Sequence, residues 1–154
     1  IVKEYAADAL VATAKRQGIS FGLINLGGDI AIIGPQASGA PWLFGITHPV
    51  IKGRTIATIP LSSGSLTTSG GYERFVEIEG ERYSHLLNPK TGIPFKSILS
   101  ASVIADQAIV AGSITSIALL NEETDGLDWL ESCDLPYLAI KKNLECIGSL
   151  ARNE

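Results

Sequence analysis

FVEIEGERYSHLLNPKTGIP, residues 75–94, decides the fold class. Two strand-like runs, Phe75 to Ile78 and Arg82 to Leu86, flank Glu79-Gly80-Glu81, and a glycine-containing turn between such runs is hairpin chemistry. The second arm leads into Asn88-Pro89-Lys90-Thr91-Gly92, a turn that an early proline and a late glycine both favour. His85 therefore stands at a strand end facing a loop. An imidazole there can act as a base or a ligand clamp; a hydrogen-bonded structural histidine is the open alternative.

Just upstream lies TTSGGY, Thr67 to Tyr72, which reads as a Gly-rich turn. Ser69-Gly70-Gly71 lacks bulky side chains, so backbone N–H groups can approach an anion, and Thr67, Thr68 and Ser69 add hydroxyls. An empty β-turn would show the same composition. Gly27-Gly28-Asp29 is equally two-sided: a tight turn, or bare backbone against which a ligand lies while Asp29 accepts from it. His48, in Thr-His-Pro, reads as structural.

The rest of the chain fits around this hairpin. Val2 to Arg16 predicts a helix with Tyr5, Ala6, Leu10, Ala12 and Ala14 as its apolar residues, Lys15 and Arg16 in its last turn and Gly18 beyond it. FGLINL and IAIIG are strands about the Gly27-Gly28 turn, and WLFGITHP and TIATIPL are strands on either side of a turn at Ile51 to Arg54. After the SSGS break and the central hairpin come a strand over Ser100 to Ala105 and a long apolar helix capped by Asp106 and running through Leu120. Its Ala and Gly residues make one face narrow enough for close packing. A short helix over Asp125 to Ser132 and a terminal hairpin, PYLAIKKN with LECIGSL, complete the order. Helix, many strands, helix, strands predicts an α+β domain whose antiparallel sheet is covered by helices.

With 154 residues, the chain suits a single domain with a sizeable core. Its 45% hydrophobic and 18% charged residues exclude disorder. A net charge of −4, with twelve scattered basic residues, argues against a nucleic-acid surface. No apolar run is long enough to span a bilayer. The opening IVKEYAADAL has neither an initiator methionine nor a signal-peptide pattern, which predicts a processed chain or a fragment. Cys133 and Cys146 read as two small buried residues or as a hairpin disulfide.

GGDI (27–30), TSGGY (68–72) and YSHLLNPKTGIP (83–94), in that order, resemble the ApbE family of flavin transferases. IVKEYAAD resembles that family's helix start, and the helix after Asp106 resembles its Ala-Asp-Ala…Thr-Ala helix. The match runs in register from Ile1 to about Leu120 and corresponds to the C-terminal half or so of a typical member. The resemblance implies a T-fold-like domain and an FAD:protein FMN transferase. Such an enzyme binds FAD and Mg²⁺, moves FMN onto a threonine of a partner flavoprotein and releases AMP. It further implies that His85 is the base or a transition-state contact and that Asp29 lines the site. Tyr5, Thr68, Ser69, Gly70, Leu86 and Thr91 fall at cofactor-binding positions.

At the metal site the chain departs from its relatives. The family's helix Asp is Gly112 here, its Thr four residues on is Ser116, and Val2 supplies the matching backbone carbonyl. Losing the carboxylate removes the charged donor that Mg²⁺ favours, and Asp106 lies too far round the helix to replace it. Glu4, where the family has glycine, is a second departure. If the chain is a degenerate flavin- or nucleotide-binding member, a Gly112→Asp variant is expected to gain metal affinity. Three readings follow: part of a working transferase whose other half a companion chain supplies, a degenerate flavin- or nucleotide-binding protein, or a non-catalytic assembly domain. Family habit implies an exported, membrane-anchored bacterial envelope protein.

Overall fold

Helix α1 (Val2–Arg16) has the predicted bounds but a different buried face. Glu4 and Ala7 are buried, with Asp8, Val11 and Ala14 half-buried beside them, whereas Tyr5 and Leu10 are exposed. The stripe follows residues three and four apart, and small side chains set it, because only these let α1 lie close against the sheet. Ala7 meets Ala31 and Ala108 there.

The computed structural model describes residues 1–71, 75–79, 81–88, 90–95 and 97–151. Strands β1 (Gly22–Leu26) and β2 (Asp29–Gly34) pair about Gly27 and Gly28, whose φ of 66° and 96° are the left-handed values that a two-residue hairpin turn needs. Strands β3 (Trp42–Thr47) and β4 (Thr55–Leu61) form a separate hairpin. Then come β5 (Ser65–Gly70), the hairpin β6 (Phe75–Ile78) with β7 (Glu81–Ser84), and β8 (Ser100–Ala105). Helices α2 (Ala108–Leu119) and α3 (Glu123–Ser132) precede the terminal pair β9 (Tyr137–Ile140) and β10 (Cys146–Ile147).

Six strands make one antiparallel sheet in the order β1-β2-β5-β8-β9-β10. Side chains alternate across it. Val103, Ala105, Tyr137 and Ala139 pack under α2 and α3, while Ile30, Ile32, Leu66, Leu138 and Ile140 pack under Ile46, Ile59 and Leu61 of the β3–β4 hairpin. The layers are helices, sheet and hairpin, which is the predicted α+β arrangement.

Three local readings are corrected. Thr67 to Gly70 is strand, because the hydroxyl residues pair with β8 all along β5. The arm beginning at Arg82 stops at Ser84, where the chain bends. Asp106 is exposed and does not cap α2, whose N-cap is Gln107. Of the two readings for the cysteines, the unbridged one holds: both are free and half-buried, Cys133 at the C-cap of α3 and Cys146 on the opposite face of the sheet, and burial pushes both thiols up. Gly80, Pro89 and Tyr72, which the predicted turns and motifs include, lie outside the described residues. His48 is structural as expected, its Nδ1 accepting from the amides of Val50 and Ile51 at 3.1 and 3.0 Å.

Tyr137, buried between α3 and the sheet, donates to Glu131 Oε2 at 2.8 Å. Burial first, then the Glu131 hydrogen bond and charge, push its hydroxyl up to about 12. The folded state thus holds a proton that the unfolded chain releases near pH 10, so stability falls as pH rises from about 10 through about 12. Comparing urea midpoints across that window, wild type is expected to lose on the order of 1–2 kcal/mol more than Tyr137→Phe.

Candidate functional site

The central strand β5 carries the first cluster of polar residues. β8 pairs along its whole length, but β2 pairs only at Ser65 and Leu66, so the other edge of Thr67–Gly70 runs beyond the β2 ladder. Thr68 Oγ1 lies 2.8 Å from Ser102 Oγ, and Ser69 Oγ lies 2.9 Å from Thr115 Oγ1 on α2. These bonds fix hydroxyl positions that would otherwise rotate.

Beyond β5, the chain meets the second motif directly. Gly71 donates to the Leu99 carbonyl at 3.1 Å, and a Cβ on Gly71 would stand 2.7 Å from Ser84 Oγ. A side chain at 71 would crowd the Ser84 hydroxyl out of this position. The Ser84 hydroxyl also accepts from Leu86 N at 3.1 Å, which bends the chain around His85. Ser84 and Leu86 line a cavity of about 200 Å³ together with Gly71, Phe75, Phe95 and Leu119. His85, between them, is exposed.

The loop that follows is held by Asn88, whose Oδ1 accepts from Lys90 N at 2.9 Å and whose carbonyl accepts from Gly92 N at 2.8 Å. A bridge from Leu87 to Pro94 closes it and leaves Thr91 exposed at its tip. A second cavity, about 280 Å³, lies between the Gly27–Gly28 turn, Leu66 and Thr68 of β5, and Phe44 of β3. Asp29 faces the other way. Its buried carboxylate pairs with Lys3 Nζ at 2.7 Å, and Lys3 also reaches the Leu26 carbonyl at 3.4 Å. That bridge ties the glycine turn to α1.

The corner between α1 and α2 holds the remaining candidates. Asp8 bridges the two helices: its carboxylate accepts from Ala108 N at 2.8 Å and Ile109 N at 3.0 Å. Glu4 is 8% exposed, and a Cβ on Gly112 would lie 2.7 Å from its Cγ and 2.9 Å from its Oε1. Glu4 Oε2 is buried and forms an ion pair with the terminal ammonium of Ile1. Burial pushes this carboxyl up, but the Ile1 amino group, its own amide and the charge of Lys3 together hold it below the usual range. Val2 and Tyr5 are exposed and Ser116 is half-buried.

The structure therefore joins Thr68, Ser69 and Gly70 to the segment of His85 and Leu86, and sets Val2, Gly112 and Ser116 on the two helices beside them. Among the described residues no group of three or more His, Cys, Asp or Glu side chains gathers as for a metal ion. Sequence reading missed Lys3, Asp8 and Thr115. The signal for Asp8 was its place on the buried stripe, next to Ala7.

The model of the ApbE family matches residues 1–139. An FAD:protein FMN transferase of Vibrio cholerae is 29% identical over 145 residues, covering 92% of this chain and 43% of the relative. That of Escherichia coli K12 is 35% identical over 109 residues, covering 70% and 31%. A crystal structure of the ApbE protein of Thermotoga maritima superimposes with a TM-score of 0.85 at 30% identity, over 99% of this chain and 52% of that one. The flavin transferase ApbE of Vibrio cholerae gives 0.79 at 27%, over 97% and 48%. The chain spans about half, or less, of the length of the relatives it matches. On the motifs, the fold and these matches together, the chain belongs to the ApbE family, of which it forms a C-terminal part.

Proposed function

We propose that this chain supplies the C-terminal part of a Mg²⁺-dependent flavin transferase that moves FMN from FAD to a threonine of a partner flavoprotein. The observation that carries this reading is the contact of Gly71 with Ser84, which sets the hydroxyl-bearing end of β5 beside the His85 segment. In the reaction, the acceptor oxygen attacks the FMN-side phosphorus of the diphosphate. The bond to the AMP phosphate breaks and AMP leaves. His85 takes the hydroxyl proton, and its exposed position at a strand end gives a protein acceptor access to it. Thr68 and the Gly27–Gly28 turn, which line one cavity, offer donors to phosphate oxygens, and a bound Mg²⁺ would neutralise charge on the diphosphate.

Cavities of about 200 and 280 Å³ are smaller than the roughly 300–1,000 Å³ of a site for a drug-sized ligand. This reading therefore assigns the rest of the FAD pocket to polypeptide outside these residues, in a companion chain or in the remainder of a longer protein. Incubation with FAD, Mg²⁺ and a threonine-bearing acceptor should yield flavin fluorescence that stays with the denatured acceptor. His85→Ala is expected to slow that transfer about 100-fold while flavin affinity changes only a few-fold. Tight FAD binding without transfer would instead favour a nucleotide-binding role.

A further inference from the structure

We infer that Ser84 is a positioning residue for His85: its hydroxyl locks the turn that carries the imidazole, and residue 71 is glycine so that this hydroxyl has room. The inference rests on the transferase reading above and names what holds that reading's base in place. Ser84 ends β7. Its Oγ accepts from Leu86 N at 3.1 Å, a serine turn that closes over His85 from the residue before it to the residue after. The peptide groups on both sides of His85 are thereby fixed, and with them the direction in which its side chain leaves the backbone.

The hydroxyl is itself wedged against the end of β5. A Cβ on Gly71 would stand 2.7 Å from Ser84 Oγ and 3.1 Å from Ser84 Cβ, so a side chain there would drive Oγ off the Leu86 amide. Gly71 is not among the glycines with positive φ, so its own backbone does not demand glycine; the neighbouring hydroxyl does. Gly71 is anchored by its bond to the Leu99 carbonyl at 3.1 Å, directly before β8. The six-stranded sheet, Gly71, Ser84 and Leu86 thus make one line of contacts that ends at His85. The β6–β7 hairpin alone would be a poor support, because it is a separate two-stranded sheet and the side chains of β6 are exposed.

The rival role is a turn that only helps the hairpin fold. Such a turn would cost stability whether or not His85 is present, whereas a positioning residue costs turnover only through the imidazole. In the assay with FAD, Mg²⁺ and a threonine-bearing acceptor, Ser84→Ala should lower kcat about tenfold with KM for FAD changed less than about twofold. Ser84→Thr, which keeps the hydroxyl, should restore the rate, and Gly71→Ala should reproduce the loss. In a His85→Ala background, Ser84→Ala should cost nothing more. Amide hydrogen exchange at Leu86 needs no turnover; it should run at least about tenfold faster in Ser84→Ala and Gly71→Ala than in wild type, and slow again in Ser84→Thr. Unchanged Leu86 exchange, or an equal loss from Ser84→Ala with and without His85, overturns the proposal. A chain whose Leu86 exchange responds as stated but which transfers no flavin sinks only the transferase reading. One that transfers flavin at the same rate with Ser84→Ala sinks only this proposal.

Discussion

Asp8→Ala is expected to lower stability by about 3–4 kcal/mol, because it removes two charge-assisted hydrogen bonds, each worth roughly 1.5–3 kcal/mol. The first turn of α2 has no cap of its own: Gln107 stands at the N-cap without a side-chain bond, and the turn contains no acidic residue. Its amides at Ala108 and Ile109 depend on a carboxylate delivered by a helix a hundred residues earlier in the chain. Ala108 is fully buried, so water cannot replace the lost acceptor there. The carboxylate also meets the positive end of the α2 dipole. For a domain of this size, the loss corresponds to a fall of about 10 °C in the thermal midpoint. Asp8→Asn, with one neutral acceptor, should recover part of it. Thermal unfolding of both variants checks these effects.

What could be read from the chain was whatever depends on near neighbours. The β1–β2 hairpin was legible because Gly27-Gly28 demands a left-handed turn and apolar runs flank it. Helix α1 was legible in extent, since Lys15, Arg16 and Gly18 mark its end, but not in orientation. Its apolar side chains suggested a face through Tyr5 and Leu10, and the true face runs through Glu4 and Ala7. Hydrophobicity alone could not find that face, because α1 packs by closeness and buries a charge. The cap of α2 was misassigned to Asp106 for the same reason: a local carboxylate is visible in sequence, and one brought from Asp8 is not. Gly112 was legible as a lost ligand, and Glu4 as an oddity. Only the packing shows that Glu4 fills the space beside Gly112. This also changes the expectation for Gly112→Asp, which by itself must displace Glu4 before its own carboxylate can enter the corner.

Gly126→Val is expected to cost about 3–4 kcal/mol, and it tests how closely α2 and α3 approach. A Cβ on Gly126 would stand 2.4 Å from the Ala118 carbonyl oxygen and 3.3 Å from its carbon, both backbone atoms of a fully buried residue. Neither side can yield by changing a rotamer, so α3 must move as a body. Overpacking of this kind costs about 1–3 kcal/mol. The shift also strains the bond from Trp129 Nε1 to the Ile114 carbonyl, 3.2 Å, and that from Ser97 Oγ to the Ala118 carbonyl, 3.3 Å, at about 1 kcal/mol each. Better helix propensity returns only a few tenths of a kcal/mol for valine. Alanine is the sharper control, since its propensity gain approaches 1 kcal/mol and its added volume is a single methyl. Gly126→Ala should still be destabilising, by about 1–2 kcal/mol, because the obstacle is the first carbon of any side chain. Urea unfolding gives both values, and near-ultraviolet circular dichroism of Trp129 should report the displaced helix. Gly126→Ala as stable as wild type would mean that α2 and α3 do not touch backbone to backbone, and the narrow Ala/Gly face of α2 would lose its structural purpose.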